Sequence, residues 1–510
     1  MLAKVKSGSY YGVDPYLVEI EVDCSKGLPN TVIVGLPDEA VKESKDRVKS
    51  AIINSGFTFP NKRITINLAP ADIKKEGVSF DLPIAIGILA ASGQIKQDVL
   101  HDFLFIGELA LDGMIRPVKG VLPILLGLKK WKISKIVVPQ GNHCEAAMVP
   151  HIETYPIHTL KDVVQFLHGA ISLECVKTEI KEHTENDIIY DEDFIDVKGQ
   201  THVKRALEIA AAGGHNIILI GPPGSGKTML ARRFRTIIPE MTVDESLEVT
   251  NIHSVAGMLK SKRGVVSQRP FRSPHHSVST GGLIGGGSYP VPGEVSLSHN
   301  GVLFLDEFTE FRRDALEALR QPLEDREVNI TRIKGTITYP SRFILVCSMN
   351  PCPCGHYTDP KNECRCTPYQ IQKYVSKISG PLLDRIDIHI DVPPLEYHEL
   401  AADTQGESST VIRRRVGIAR LKQSDRYKGE AIRSNAYMKS KQMKKYCSIA
   451  PEGHVLLKEA EERLGLSARG YDKILKVART IADLDNCQDI EPYHLAEAIQ
   501  YRTLDRSVWN

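Results

Sequence analysis

No apolar run in this sequence approaches the roughly 20 residues that cross a bilayer, and its first residues, MLAKVKSGSYYG, lack the apolar core of a secretion signal. The longest candidate, 82–92 (LPIAIGILAAS), is interrupted by Pro83 and Gly87 and reads as a buried helix. Net charge is only +2, so there is no whole-molecule polyelectrolyte attraction to nucleic acid, and any such surface must be a local patch. Aromatics are sparse at 6%, beside 42% apolar and 25% charged residues, a soluble globular composition. Ten cysteines in 510 residues do not suggest a disulfide scaffold; without a secretion signal they read as reduced thiols. These absences point to a cytoplasmic chain, with no membrane association and roughly two to four domains.

Residues 1–168 alternate short β-rich runs with helical stretches. Runs 18–22, 31–34, 63–68 and 135–138 read as strands, and 38–53 as a helix in which Val41, Val48 and Ile52 recur at helical spacing. A polar, acidic stretch marks a linker over 169–196. The central region, 197–395, opens with a helix at 202–212 and a strand at 216–220, with further strands at 302–305, 343–347 and 386–391. Strands alternating with helices predict a three-layer α/β domain. Small polar residues mark a second linker over 396–410, and the remainder, 411–510, is helical, with helices at 455–464, 467–483 and 492–501.

Between the apolar strand NIILI and the helical MLARRFRTII stands Gly221-Pro222-Pro223-Gly224-Ser225-Gly226-Lys227-Thr228, which fits G-x-x-x-x-G-K-[ST]. Glycines let backbone N–H groups turn inward around phosphate oxygens, and the following helix N-terminus adds its dipole. Lys227 is then the residue that reaches the β/γ-phosphates of ATP, and the Thr228 hydroxyl a ligand of Mg²⁺. The second half of the site is Val302-Leu303-Phe304-Leu305-Asp306-Glu307, where four apolar residues bury a strand that delivers two acids at its C-terminal end. Asp306 is the candidate Mg²⁺ ligand, and Glu307 the candidate that polarises the attacking water. Asn350 ends the run FILVCSMN, where it either orients water near the γ-phosphate or has a structural role alone.

The P-loop, the run GLIGGG at 282–287, PGEVSLSHNGVLFLDEF, NPCPCG, LLDRID and LSARGYD together resemble the magnesium-chelatase-related AAA+ ATPases, and over nearly the whole chain the bacterial YifB/ComM group. The resemblance implies hexameric rings with ATP bound between subunits, and a DNA branch-migration helicase used in the recombination of natural transformation. It also implies Arg385 as a finger supplied to a neighbouring subunit's γ-phosphate, and Arg469 as a second sensor of nucleotide state. A local salt bridge from Arg385 to Asp384 or Asp387 is the plain alternative. The segment 67–82, NLAPADIKKEGVSFDL, is similar to the Lon-protease-like domain, which also occurs in the RadA recombination ATPase. Ser79 falls where Lon has its nucleophile, and a serine needs a base to become one. Lon's lysine follows a Leu-x-Gly…Pro-x-x-Gly element, here Leu111 to Gly120, but the matching position is Ile124, which accepts no proton. Lys119 and Lys129 are off-register. The expected fold is therefore α/β: an AAA+ P-loop three-layer domain with a helical lid, preceded by an α+β Lon-protease-like (ribosomal S5 domain 2-like) domain that is not a peptidase.

Cys352, Cys354, Cys364 and Cys366 form two C-x-C pairs separated by nine residues. Four thiolates meet the tetrahedral demand of structural Zn²⁺. The spacing is tighter than the usual C-x-x-C, which leaves reduced, metal-free thiols open, with His356 a substitute ligand.

For the motor's substrate, the glycine- and hydroxyl-rich stretch 271–287 reads as a flexible inserted loop, and 328–339 as a β-hairpin turning at Lys334-Gly335. In related ring motors, including the MCM helicases, a hairpin just before the sensor strand lines the pore. Arg332 and Lys334 are thus candidates for gripping DNA phosphates, single-stranded or branched; a solvated basic hairpin is the alternative. Basic runs at 413–415 and 439–445 are candidate extensions of that surface. A DNA translocase and a chelatase-like or chaperone-like motor remodelling a protein partner both remain open.

Overall fold

A computed structural model describes residues 1–75, 77–149, 152–176, 190–259, 264–287, 290–332, 335–357, 359–395, 406–430 and 432–503. The expected linkers fall partly outside these residues, at 177–189 and 396–405, and so does Lys334. The chain forms two compact units, one within Met1–His183 and Val243–Ser267, the other within Thr184–Thr242 and Gln268–Asn510.

The first unit is built on a seven-stranded mixed sheet. Its strands are β1 (Leu2–Tyr11), β2 (Asp14–Ser25), β3 (Asn30–Val34), β4 (Arg63–Ala69), β5 (Phe103–Phe105), β6 (Lys135–Pro139) and β7 (Glu153–Ile157). They lie in the order β3-β4-β2-β1-β5-β6-β7. The apolar stretch near residue 82 is the helix Asp81–Ala91, buried at every position. It packs so closely that a Cβ on Gly87 would stand 2.6 Å from Val22 Cγ2. At its start the buried Asp81 carboxylate accepts from Arg47 Nε at 2.9 Å and Nη2 at 3.1 Å. Burial pushes the Asp81 pKa up to about 6 even against that guanidinium. Residues 243–267, which the sequence assigns to the central domain, belong to this unit instead. Their helix Val243–Val255 buries Val249 and Ile252, and the Ser254 hydroxyl donates to the buried Glu145 carboxylate.

The second unit carries a five-stranded sheet of β8 (Ile217–Ile220), β9 (Phe271–Arg272), β10 (Val302–Leu305), β13 (Ile344–Met349) and β14 (Ile388–Asp391), with the hairpin β11 (Glu327–Arg332) and β12 (Gly335–Pro340) beside it in sequence. Every pairing in the five-stranded sheet is parallel, and the order is β9-β10-β13-β8-β14. Strands β8, β10 and β13 are buried along their whole length, as continuous apolar runs in a doubly covered parallel sheet must be. This mixed α/β arrangement is that of a P-loop AAA+ fold. Helices Ser409–Arg426, Pro451–Leu464, Ala468–Leu484 and Pro492–Gln500 follow, and Ile412, Val477 and Leu495 share one core with Leu207, Ile217 and Val302.

The stretch 271–287 is not a free loop. Phe271–Arg272 adds an edge strand beside Val302 and Leu303, and Ser279 caps the short helix Thr280–Ile284. Arg272 is held by Glu294 at 2.5 and 2.7 Å, so an apolar–basic pair supplies order that glycine content conceals.

Candidate nucleotide site and cysteine cluster

Strand β8 ends where the glycine-rich loop begins, and helix Lys227–Ile237 starts where it stops. Gly224 and Gly226 adopt φ of +79° and +88°, a region closed to most side chains. Lys227 is nearly buried, and its Nζ donates to the carbonyls of Gly221 at 2.7 Å and Pro222 at 2.8 Å, with Asn350 Oδ1 at 3.3 Å. Burial pulls its pKa down to about 8, opposed by the charges of Asp306 and Asp391. Thr228 Oγ1 donates to Asp306 Oδ2 at 2.8 Å, and the Ser348 hydroxyl donates to Asp306 Oδ1.

The parallel order explains this convergence. Strand β13 lies between β8 and β10, so the C-terminal ends of all three open on one crevice, where such sheets bind ligands. Two hydroxyls and a carboxylate make a hard, all-oxygen donor set of the kind Mg²⁺ takes. Glu307 has a left-handed backbone (φ +53°) and an exposed carboxylate, 3.2 Å from His276 Nδ1. The crevice is a cleft of about 980 Å³ whose lining includes Lys227, Thr228, Asp306, Glu307 and Asn350.

Three contributors carry no motif. Ser348 sits inside an apolar strand, His276 comes from the stretch read as a loop, and Gln200 donates to the Ser225 carbonyl at 2.8 Å. Only their placement in space marks them.

Arg385 and Arg469 do not line the cleft. Arg385 Nη1 donates to the Pro381 carbonyl at 2.7 Å, and Nη2 pairs with Glu324. Arg469 Nη2 lies 3.7 Å from the same carboxylate. The salt-bridge partner of Arg385 is thus neither Asp384 nor Asp387, the latter being held by Lys473 at 2.7 Å.

The four cysteines of the NPCPCG segment and its continuation converge, their sulfurs all within 4.8 Å of one another. Cys352 Sγ lies 3.3 Å from Cys354 and 3.7 Å from Cys364, and Cys354 lies 3.7 Å from Cys364. A tetrahedron with Zn–S bonds of about 2.3 Å has edges of about 3.8 Å, so the cluster has the size and ligand chemistry of a metal site. Backbone N–H groups of His356 and Arg365 favour the thiolate of Cys354. His356 is outside the cluster, its Nδ1 bound to Asp359 at 3.0 Å.

The hairpin pairs Val328 with Tyr339 and Ile330 with Ile337, buried, while Asn329 and Thr331 face outward. It rests on the glycine ladder Gly285–Gly286/Val291–Pro292: a Cβ on Gly285 would meet Ile330 at 2.6 Å, and Tyr339 Oη donates to the Pro290 carbonyl at 2.8 Å. Arg332 is exposed. The basic run 413–415 is less available than its charge suggests. Arg413 donates to the Thr236 carbonyl at 2.8 Å, and Arg415 pairs with Glu208 and Glu407.

Over 509 residues the chain is 48% identical to Competence protein ComM of Haemophilus influenzae, a match covering 99% of this chain and 98% of that protein. The chain belongs to the YifB/ComM family. Uncharacterized protein YifB of Escherichia coli is 44% identical with the same coverage. Magnesium chelatase family models tile this YifB/ComM member: subunit ChlI over residues 193–400, a second ChlI model over 20–142 and the ChlI C-terminal model over 406–502. Lon protease 2 of Thermus thermophilus matches 156 residues at 28% identity, 29% of this chain and 19% of that protein, in keeping with a Lon-like domain. Among the described residues no helix is long and apolar enough to cross a membrane.

Proposed function

We propose that this chain is an ATPase of ring-forming type that works on DNA, a branch-migration helicase or translocase supporting recombination of incoming DNA in natural transformation. The observation that carries the ATPase reading is the meeting of Lys227, Thr228, Asp306 and Asn350 in one cleft. In this reading backbone N–H groups of residues 221–226 wrap the phosphates, and Lys227 exchanges its two carbonyl partners for phosphate oxygens. Thr228 and Asp306 would hold Mg²⁺, which would supply positive charge against the phosphates. Glu307 accepts a proton from the attacking water while Asn350 orients it. Arg385 leaves Glu324 to meet the γ-phosphate of the next subunit in a hexamer, and Arg469 reports nucleotide state from the helical lid (411–510). The cysteine cluster holds Zn²⁺ as a brace behind the Asn350 strand. The Lon-like unit (1–168), joined by residues 243–267, is no peptidase, since Ile124 supplies no base for Ser79, and the rest of 197–395 is the ATPase core. All ten cysteines are unpaired, which suits the reducing cytoplasm.

DNA as the substrate is supported by two things. One is the full-length similarity to a protein named for competence. The other is the hairpin that carries Arg332, seated on a glycine ladder. A chelatase-like or chaperone-like motor acting on a protein partner is favoured instead by the ChlI matches. ATP turnover measured with and without single-stranded or forked DNA separates the two. The DNA reading expects stimulation that an Arg332→Ala, Lys334→Ala double variant loses; turnover indifferent to every DNA form transfers the assignment to a protein substrate.

A further inference from the structure

The cysteine cluster does not stand apart from the cleft. Cys354 and Cys366 line it, and so does Arg365, the residue between Cys364 and Cys366. The cluster is also seated on the phosphate cradle itself. Gly355, at φ +84°, lies so near Pro223 that a Cβ would stand 2.6 Å from its Cδ. Arg365 is fixed at its backbone, whose N–H donates to the Cys354 sulfur.

Its guanidinium is exposed and has no hydrogen-bond or ion-pair partner among the described residues. The acids of the same cleft are engaged elsewhere: Asp306 by Thr228 and Ser348, Glu307 by His276, and Glu310 by Lys377 at 3.5 Å. A guanidinium is a planar fork that matches phosphate oxygens two at a time. Arg365 lines the same cleft as Lys227, Thr228 and Asp306, where the phosphate cradle and an oxygen donor set for Mg²⁺ meet.

We infer that Arg365 is a phosphate-contacting residue of the nucleotide site, presented by the four-cysteine knuckle, so that metal occupancy of the knuckle sets affinity for ATP. This rests on the ATPase reading above and extends it. The metal is then more than a brace. It fixes the loop that carries one of the ligand's cationic contacts, and a chain stripped of metal keeps Lys227 while losing Arg365.

The test uses the full chain, a fluorescent non-hydrolysable ATP analogue, AMP as a competitor, and metal content per chain by atomic emission. Arg365→Ala is expected to retain metal at the wild-type ratio and to bind the ATP analogue about ten- to a hundredfold more weakly, the loss of a charge-assisted hydrogen-bonding fork. AMP, which lacks the β- and γ-phosphates that Arg365 is expected to contact, should bind as to wild type; an arginine that merely props the cleft would weaken both ligands together. Arg365→Lys restores part of the loss. Cys366→Ser is expected to lose metal and to bind the analogue as weakly as Arg365→Ala, with no further loss in the double variant. Wild-type analogue affinity in Arg365→Ala overturns the inference, and so does additivity of the two substitutions. If Cys366→Ser fails to fold, Arg365→Ala and its ATP-to-AMP contrast decide alone. A different result, wild-type chain binding no ATP or Lys227→Ala binding it unchanged, sinks the ATPase reading itself.

Discussion

Lys227 should make nucleotide affinity depend on pH in a window where few other groups titrate. Burial holds its pKa near 8, with only the carboxylates of Asp306 and Asp391 resisting. Phosphate favours the ammonium form, so binding raises this pKa and takes up a proton wherever the free lysine is neutral. The sign follows: affinity is full below about pH 8 and falls as pH rises through it. For a free pKa of about 8, uptake is about 0.5 proton at pH 8 and about 0.9 at pH 9, and affinity drops about tenfold between pH 7 and pH 9. A terminal phosphate, with its second pKa near 6, is fully ionised over the upper part of that range and adds little. Calorimetric titration of a non-hydrolysable ATP analogue in two buffers of different ionisation enthalpy counts the protons directly. Lys227→Arg cannot deprotonate, so whatever its affinity it should show a flat profile from pH 8 to 9. No proton uptake in the wild-type chain, or an unchanged slope in Lys227→Arg, would falsify the assignment of Lys227 as a buried phosphate contact.

Glu307→Gln should lower ATP turnover by about 10²- to 10⁴-fold, the usual worth of a positioned base, while analogue binding persists; loss of binding instead would make Glu307 a structural residue. Arg47→Met should destabilise the first unit by about 3 kcal/mol at pH 8, because it strands a buried carboxylate. The Asp81 pKa, already about 6, rises further without its partner, so the loss should shrink at pH 5, where the carboxyl is neutral, as urea midpoints at the two pH values would reveal. Gly87→Ala should cost about 1–3 kcal/mol through the clash with Val22, read as a lower melting temperature with ATP turnover unchanged at low temperature; a neutral effect would mean that the helix shifts freely.

The parts of the fold most legible in the sequence are those where burial on both faces writes a continuous apolar run. The P-loop strand, the strand before Asp306 and the strand before Asn350 all announce themselves this way. Strand β1 escapes notice because its lysines and serines alternate with small residues; its pairing along β2, Leu2 with Asp23 through Tyr11 with Asp14, makes it a strand. Strand β5 has only three residues and gets its identity from its neighbours on either side. Charge runs mislead for the same reason. Nothing local to 413–415 says that Arg413 will meet Thr236 or Arg415 will meet Glu208. Asn216 is the plainest case: its side chain accepts from the Leu345 N–H at 2.9 Å and donates to the Arg385 carbonyl at 3.1 Å, tying the P-loop strand to the segment of the finger candidate. A lone asparagine before a strand carries no hint of that.

The chain crosses between its two units three times, near residues 183, 242 and 267. No single cut therefore yields both parts whole. A fragment ending near 183 lacks the helix that closes over Glu145, and a fragment beginning near 184 carries Val249 and Ile252 with nothing to bury them. Recovering either piece would take a transplant: residues 243–267 rejoined to the first, and a short loop bridging 242 to 268 in the second. For this molecule the units are inherited, expressed and mutated as one, and the boundary most visible along the chain is the least useful place to divide it.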